Sequence, residues 1–500
     1  MTSWCMSDLV FVLKCFLVHS SIYDYVIMLS LGLKRVLSSS SLSLLRSSST
    51  STCYRYYSSE QVEKYDIVIV GGGLVGSSMA CALGSSDYTK HLKVCLVESA
   101  PIQPLHPLTV EHDIRTLSFN NTSVALFDAI GAWDLIKGTR IAPFNQLRVW
   151  DSSGFPGIHF KDNDAMGYIL ENRVVNSALL ERSRQLDNVT IKSPVQVKSV
   201  ELTTKQSSSK SRVFLSNDQQ LETDLIIAAD GGNSIIKKQI GVSSHGRNYN
   251  QKAVVCTIKL APNHQPNTLY QRFLPTGPIA LLPLSDGYAS IIWSTNTIHA
   301  NYLLSLDDES FMVQLNHAWF SPSKISNDSV HDALTTIFDL NPSGLSGQEL
   351  HLPPIEKVSS KRASFPLRLD HTLNYTDKGL CLIGDAAHLI HPLAGQGVNL
   401  GLADVIALSK TISESVKSGY NVGDSMMLKK YEDERKIENI KMLASVDTLF
   451  NLFENNSFLV KSIRNIGLSI LDNITPLKNL ITSVSKGTKI SLKGIGSNQN

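Results

Sequence analysis

The stretch YDIVIV-GGGLVG at Tyr65–Gly76 decides the fold of this chain. Its first six residues form a short apolar run rich in β-branched side chains, which predicts a buried strand. The small-residue segment SSMACALG follows and predicts a closely packed helix. We expect Gly71 to permit the tight turn, Gly73 to let a pyrophosphate approach the backbone, and Gly76 to bring helix and strand together. The stretch therefore predicts a dinucleotide site at a helix N-terminus.

A second apolar run, LKVCLVE, ends in Glu98. The spacing is that of the carboxylate that bonds the adenosine ribose in such sites. A ribose 2′-phosphate within about 4 Å of this carboxylate would be repelled by on the order of 4 kcal/mol at an effective dielectric near 20. We therefore expect the pocket to disfavour NADP. Taken alone, the two features also fit an ordinary β-α junction with a chance acidic residue.

Composition excludes several classes of protein. The hydrophobic fraction of 42% and the net charge of +2 are typical of a globular chain, and no long Lys/Arg block in its body suggests a nucleic-acid partner. The seven cysteines show no CxxC pair and no zinc-ligand spacing. We expect no metal site, no disulfide framework and a reducing compartment.

The N-terminal region has the composition of a mitochondrial transit peptide. From Met28 to Tyr57 the chain is rich in serine and leucine, carries Lys and Arg, and contains no Asp or Glu. The arginine at position 55 precedes a potential cleavage point that would leave Ser58 as the mature N-terminus. We predict that residues 1–57 are an extension and presequence, with Met28 as the true start. A Ser-rich tail without a targeting role is the alternative.

Two further segments continue the glycine pattern far along the chain. The run Asp224–Asp230 (DLIIAAD) predicts another buried strand, and Gly231 and a second glycine follow it directly. The strand GLCLI then precedes Gly384 and Asp385, and the segment HPLAGQGVNLGLAD follows at 391–404.

In this order, the three segments resemble the flavoprotein hydroxylases related to para-hydroxybenzoate hydroxylase. The segment at 391–404 is similar to the ubiquinone-biosynthesis hydroxylases in particular. Supporting stretches are DIRTLS at Asp113–Ser118, YILEN at Tyr168–Asn172 and QRFLPTGPIALLPL at Gln271–Leu284. The resemblance runs from about Tyr65 into the C-terminal region.

The three segments imply an α/β fold for the FAD-binding part of the chain. With the inserted sheet domain, the whole would be an α+β two-domain flavoprotein hydroxylase. A Rossmann-like FAD-binding domain would combine residues 61–247 and 366–420. Alternating stretches such as AVVCTIKL predict a mostly antiparallel sheet in an inserted substrate domain at 248–365. Residues 421–490 are predicted as a C-terminal helical region.

That helical region contains an apolar stripe at helical spacing, formed by Met442, Val446, Leu449, Phe450 and Phe453. A stripe of this kind most often packs in a core. A helix lying on a membrane surface is the alternative, because the implied substrate carries a polyprenyl tail.

The resemblance assigns FAD-binding roles to residues of all three segments. Asp385 would accept hydrogen bonds from the ribityl hydroxyls, and capping of a helix is its simpler role. Arg115 would reach the FAD phosphates, with a surface ion pair to Asp113 or Glu111 as the alternative. Asn172 would lie near the ribose or a phosphate. The remaining cofactor candidates are Gly71, Gly73, Gly76, Glu98, Asp230, Gly231, Gly384, Gly395, Gln396, Gly397, Val398 and Asn399.

The catalytic candidates lie at the start of the 391–404 segment. The resemblance places Pro392 beside the substrate ring, where its carbonyl could polarise a phenol. His391 and His388 could serve as acid or base if they reach the substrate. A packed core histidine is at least as good an interpretation of either.

The resemblance implies FAD reduction, reaction with oxygen to a flavin hydroperoxide, and hydroxylation of a polyprenylated hydroxybenzoate-type intermediate of ubiquinone biosynthesis at ring carbon 5. Electrons would come through a ferredoxin and its reductase. The enzyme would work in an assembly of ubiquinone-biosynthesis proteins, as a peripheral protein on the matrix side of the mitochondrial inner membrane. A prenyl reductase or epoxidase on the same scaffold, and a non-catalytic prenyl-binding escort protein, are the competing interpretations.

Overall fold

The computed structural model describes residues 62–152, 158–203, 210–262, 264, 267–320, 352–391, 395–454 and 495, which belong to one compact unit. The predicted presequence, Pro392 and residues 455–494 lie outside these ranges.

The described strands are numbered β1–β20 in chain order. They are β1 Glu63–Val70, β2 Val94–Val97, β3 Thr116–Asn120, β4 Ala142–Phe144, β5 Gln146–Asp151, β6 Ile158–Lys161, β7 Gly167–Glu171, β8 Val189–Lys192, β9 Val197–Glu201, β10 Ser211–Leu215, β11 Gln220–Ala228, β12 Ser244–Leu260, β13 Thr268–Leu274, β14 Gly277–Pro283, β15 Tyr288–Asn296, β16 Ile355–Val358, β17 Ala363–Thr372, β18 Thr376–Asp377, β19 Leu380–Leu382 and β20 His388–Leu389.

The described α-helices are numbered in the same way. They are α1 Leu74–Ser85, α2 Asn121–Ala129, α3 Trp133–Lys137, α4 Asn172–Arg184, α5 Ile235–Ile240, α6 Thr297–Ser305, α7 Asp308–Phe320, α8 Gly397–Lys417 and α9 Ser425–Glu454. Short 3₁₀ turns lie at Ser285–Gly287 and Gly384–Ala386.

The first sheet carries the glycine segment. Its main path runs β18-β19-β11-β1-β2-β8, with β10 and β9 added beside β11, and the pairs from β19 to β8 are all parallel. Ile67, Val68 and Ile69 of β1 are fully buried. A central strand of a parallel sheet is covered on both faces, which explains why the residues of β1 after Asp66 are continuously apolar rather than alternating.

The second sheet is the mostly antiparallel one that the alternating stretches predicted. Its path is β20-β17-β12-β15-β14-β13-β5-β6, with β16 paired to β12, and β13 with β5 is its parallel pair within the described ranges. Strands β5, β6 and β20 come from outside 248–365. Their pairing joins residues far apart in the chain, so local sequence pattern gave no sign of it. A third sheet, β3-β7-β4, lies near the start of α2.

Helix α9 begins the predicted C-terminal helical region. Met442 and Val446 of the predicted stripe pack against Tyr249 and Phe273. The side chains of the other three stripe residues lie outside the described set. Among the described helices, none is long and apolar enough to cross a membrane.

Candidate active site

The ends of three parallel strands bring the three predicted segments to one edge of the first sheet. Val70 of β1 is in register with Ala228 of β11, and Ala228 is in register with Leu382 of β19. Each segment follows directly after its strand. Ligands of open α/β sheets bind outside the carboxyl ends of the strands, and the segments meet at that position.

The first glycine segment combines tight packing with an open position. Gly71 has φ +105°, and a Cβ there would lie 2.4 Å from the carbonyl oxygen of Ala229. A Cβ on Gly76 would lie 1.9 Å from the carbonyl oxygen of Gly71, so α1 can start this close to β1 only with glycine. A Cβ on Gly73 would meet no described heavy atom within 4 Å. The structure thus leaves room for a ligand at the residue predicted to face the pyrophosphate.

Glu98 lies directly beside this turn. One carboxylate oxygen accepts a 2.6 Å hydrogen bond from the amide of Gly72, and the other accepts a 2.7 Å bond from the amide of Ala100. The side chain is half-buried, so the carboxylate is fixed at the turn and retains lone pairs for a ribose.

Helices α1 and α8 start at glycine segments without a side-chain cap. Their N-cap residues, Gly73 and Gln396, make no side-chain hydrogen bond to the helix. Asn120, Ser234 and Asn296 cap α2, α5 and α6, whereas α3 and α4 also start without a side-chain cap. Uncapped helix N-termini carry free amide groups and partial positive charge, which suit a pyrophosphate and an electron-rich ring.

Asp385 presents an acceptor group at the same edge. Its side chain is half-buried, and no donor in the described part of the chain hydrogen-bonds its carboxylate. Burial raises the pKa of Asp385, while the charges of His388, Arg115 and Arg368 lower it. An unbonded carboxylate beside a sheet edge fits the hydroxyls of a ribityl chain.

The second segment also retains an unused acceptor. One oxygen of Asp230 accepts a 2.8 Å bond from the amide of Ile235, whereas the other is buried and has no partner among the described residues. Sequence reasoning missed the residue that fixes this turn. Arg368 of β17 donates to the carbonyl oxygen of Gly232 at 2.7 Å and to the side-chain oxygen of Asn233 at 2.8 Å.

Arg115 and Asn172 are brought together by Asp113. The amide of Asn172 donates to the carbonyl of Arg115 at 2.9 Å. Asp113 accepts from the backbone amides of Arg115 at 3.0 Å and Arg173 at 3.1 Å. Asp113 therefore holds the backbone of Arg115. The guanidinium is exposed and lies close enough to Asp385 to lower its pKa.

Asn399 fixes the loop that starts α8. Its side-chain oxygen accepts from the amide of Asn120 at 3.1 Å and from the hydroxyl of Ser123 at 2.7 Å. Its side-chain nitrogen donates to the carbonyl of Ser118 at 2.9 Å. The Asn399 side chain is therefore used within the protein, and only its backbone amide remains for a cofactor.

His391 is fully buried, and its ring packs edge-on against Tyr249 with 4.9 Å between ring centroids. Its Nε2 lies 3.4 Å from the side-chain oxygen of Gln251. Burial lowers the pKa of His391 to about 4, so the imidazole is neutral at physiological pH. His388 belongs to a different environment, with its Nε2 2.6 Å from a carboxylate oxygen of buried Asp404. Pro392 lies outside the described residues.

The open position at Gly73 and the unbonded acceptors of Asp385 and Asp230 fit FAD. The FAD binding domain family model matches residues 64–298 and 345–444. The chain also resembles p-nitrophenol 4-monooxygenase PnpA from Pseudomonas putida DLL-E4, with a TM-score of 0.63 and 16% identity over 86% of this chain and 100% of that one. PqsL from Pseudomonas aeruginosa, a probable FAD-dependent monooxygenase, gives a TM-score of 0.62 at 18% identity over 81% and 99%. These structures show the fold, and the fold, the family model and the site together define an FAD-binding protein with the flavoprotein hydroxylase fold.

More similar relatives narrow the class. Ubiquinone biosynthesis monooxygenase COQ6, mitochondrial, from Dictyostelium discoideum is 57% identical over 459 residues, covering 85% of this chain and 92% of the relative. The protein of the same name from Homo sapiens is 38% identical over 431 residues, covering 83% and 91%. The chain belongs to this family of mitochondrial ubiquinone-biosynthesis monooxygenases.

Proposed function

We propose that this monooxygenase hydroxylates the aromatic ring of a polyprenylated hydroxybenzoate-type intermediate of ubiquinone biosynthesis, at ring carbon 5. The proposal is carried by one observation: a relative named for ubiquinone biosynthesis is 57% identical to this chain over 459 aligned residues, which cover 92% of the relative. The FAD-type site at the sheet edge supports the reaction class. Molecular oxygen and a phenolic substrate are the reactants that this class requires.

The three segments would hold FAD along its length. The amides after Gly73 and the Arg115 guanidinium would bind the pyrophosphate, because both are donors with positive charge. Glu98 and Asn172 would contact ribose or phosphate, and Asp385 the ribityl chain. Gly71 and Gly76 would let α1 start close to β1 and so place its N-terminal amides at the cofactor, and Gly231 and Gly384 would keep the backbone close to it. The remaining acceptor of Asp230 would bind a nearby polar group.

The loop 395–399 would lie at the reactive ring. Bound FAD supplies the activation of oxygen and its transfer to the substrate. The backbone amides of Gly397, Val398 and Asn399 lie at an uncapped helix N-terminus and would stabilise negative charge on that ring. The hydrogen bonds of the Asn399 side chain to Ser118, Asn120 and Ser123 keep these amides in place. Gly395 and Gln396 shape the turn before them.

The substrate ring would lie next to Pro392, whose carbonyl would polarise the phenol. His391 would contribute as a neutral imidazole, since burial holds its pKa at about 4. It would shape the wall of the ring site or accept a hydrogen bond. The polyprenyl tail requires a long apolar channel.

We further propose that a ferredoxin and its reductase deliver the electrons. We place the enzyme as a peripheral protein on the matrix side of the inner membrane, within an assembly of ubiquinone-biosynthesis proteins. The Ser- and Arg-rich segment at 28–57 and the mitochondrial relatives support the compartment. The polyprenyl tail supports membrane contact, because the substrate must be collected from the bilayer.

The test is the quinone and intermediate profile, by mass spectrometry, of cells that lack the protein. We expect ubiquinone to disappear and a prenylated intermediate lacking the oxygen at ring carbon 5 to accumulate. Normal ubiquinone would overturn the pathway, and an intermediate lacking a different oxygen would overturn the assigned carbon.

Complementation separates the reaction from the assembly. Cells that express Asp385→Asn at wild-type level keep the protein in any assembly but lose the proposed ribityl contact. We expect this variant to accumulate the same intermediate as the null cells, whereas the wild-type gene restores ubiquinone. Full restoration by the variant would count against a role for Asp385 in the reaction.

A further inference from the structure

Asp404 of α8 is fully buried and makes contacts in three directions. Its carboxylate accepts from the backbone amide of Gly384 at 3.0 Å and lies 2.6 Å from Nε2 of His388. The other oxygen accepts from Nε of Arg435 at 2.8 Å and from the side chain of Asn439 at 3.4 Å. We call these five residues the Asp404 cluster.

The Asp404 cluster joins the cofactor segment to helix α9. Gly384 and His388 flank Asp385, the proposed ribityl ligand, while Arg435 and Asn439 lie one helical turn apart on α9. All five members are buried. Because a buried charge without its partner is strongly unfavourable, the carboxylate and the guanidinium must stay together.

The electrostatics of the cluster favour the ionised carboxylate. Burial alone would raise the pKa of Asp404, but His388 and Arg435 hold it far below its ordinary value. Asn439 keeps the guanidinium oriented by accepting a 2.9 Å bond from its Nη2. The amide of Gly384 is thus held by a charged acceptor, which gives a stronger hydrogen bond than a neutral one.

We propose that the Asp404 cluster couples FAD binding to the docking of α9. A docked α9 fixes Arg435, Arg435 fixes Asp404, and Asp404 sets the position of Gly384 and so of Asp385. Coupling between two binding events is reciprocal, so FAD must in turn hold α9 in place. Asp404, Arg435 and Asn439 are positioning residues in this account, since none is assigned a contact with FAD.

Glu432 provides a matched control on the same helix. It is also buried, and one of its oxygens accepts from the backbone amides of Tyr375 and Thr376, both at 3.0 Å. Loss of Glu432 removes hydrogen bonds to the turn at 375–376 but leaves the bonds from Arg435 to Asp404 and from Asp404 to Gly384 intact, so it should lower stability without displacing Asp385.

The first experiment measures the FAD dissociation constant of purified variants by flavin fluorescence, with unfolding curves of the FAD-free proteins in parallel. Asn439→Ala and Arg435→Lys should weaken FAD binding about fivefold or more, the lower end of measured couplings. Glu432→Gln should lower stability yet change FAD affinity by less than about twofold, well below that range. Wild-type affinity in the first two variants, or an equal loss in all three, would overturn the proposal.

The second experiment needs no substitution and so does not depend on variants that fold. Hydrogen exchange of the wild-type protein is followed by mass spectrometry with and without FAD. FAD should slow exchange in the α9 segment 435–443 at least about fivefold. Exchange in 435–443 that is the same in both forms would contradict the coupling.

Discussion

Gly76 and Gly397 both lie in the first turn of a helix, as the third residue of α1 and the first residue of α8, and their surroundings differ. A methyl group on Gly76 would lie 1.9 Å from the carbonyl oxygen of Gly71. A methyl group on Gly397 would have Ile390 as its nearest described neighbour, at an ordinary 3.7 Å. The protein itself excludes a side chain at Gly76, whereas no described residue excludes one at Gly397 and a bound ligand there would. The comparison separates a glycine that the fold requires from a glycine that we propose the cofactor requires.

The largest expected effect is that of Gly76→Ala. Because the clash is with backbone, relief requires α1 to move away from β1, at a cost of about 3 kcal/mol or more. We expect little soluble protein, and a large loss in the urea midpoint of what is recovered. An unchanged urea midpoint would contradict the claim that the fold requires glycine at position 76.

Asp385→Asn tests the cofactor side without adding volume. Hydrogen bonds to a charged group contribute about 1.5–3 kcal/mol, so FAD affinity should fall roughly 10- to 150-fold. The FAD-free protein should be no less stable than wild type, since burial of the Asp385 carboxylate already raises its pKa. Flavin titration and urea unfolding give the two quantities. Equal losses in both would make Asp385 a structural residue.

The pH dependence of stability tests the burial of His391, which lies before the loop 395–399. The folded state holds its pKa at about 4, below the ordinary value near 6.5, so only the unfolded state takes up a proton between these values. Stability should therefore be full above pH 6.5 and decline toward pH 4. We expect His391→Phe to remove about 1–2 kcal/mol of the stability difference between pH 7.5 and pH 5. An unchanged difference would indicate that the ring is more accessible than the structure shows.

Gly397→Ala should have the smallest effect on the free energy of unfolding and a selective effect on FAD. Alanine favours a helix over glycine by up to about 1 kcal/mol, so the FAD-free protein should be as stable as wild type or slightly more so. FAD affinity should fall about threefold to tenfold, because the methyl group enters space assigned to the flavin ring. Unchanged affinity would mean that the flavin ring lies elsewhere.

The sequence predicted the parts of the site that are local in the chain. The strand, turn and helix at Tyr65–Ser85 follow from a continuous apolar run, a glycine turn and small residues within one stretch. Glu98 follows from its spacing. The α/β fold, FAD as the cofactor and the monooxygenase class were confirmed, and the roles of the individual site residues remain predictions.

The missed features all depend on partners distant in the chain. Asn399 bonds residues about 280 positions away, and Arg368 fixes a turn about 135 positions before it. Asp404 lies in the predicted segment, yet its bond to Arg435 becomes visible only when α9 is docked. Neither the spacing of motif residues nor the periodicity of apolar residues predicts hydrogen bonds between residues so far apart in the chain. Sequence patterns suggested candidate cofactor residues, but they did not reveal the distant residues that hold those candidates in place.

A crystal structure of the protein with FAD bound is the most direct test of this account. We predict the pyrophosphate at the start of α1 beside Gly73, the ribityl chain on Asp385, and the flavin ring against the amides at 397–399. A flavin ring away from the start of α8, or a ribityl chain without contact to Asp385, would contradict the assignment of the site.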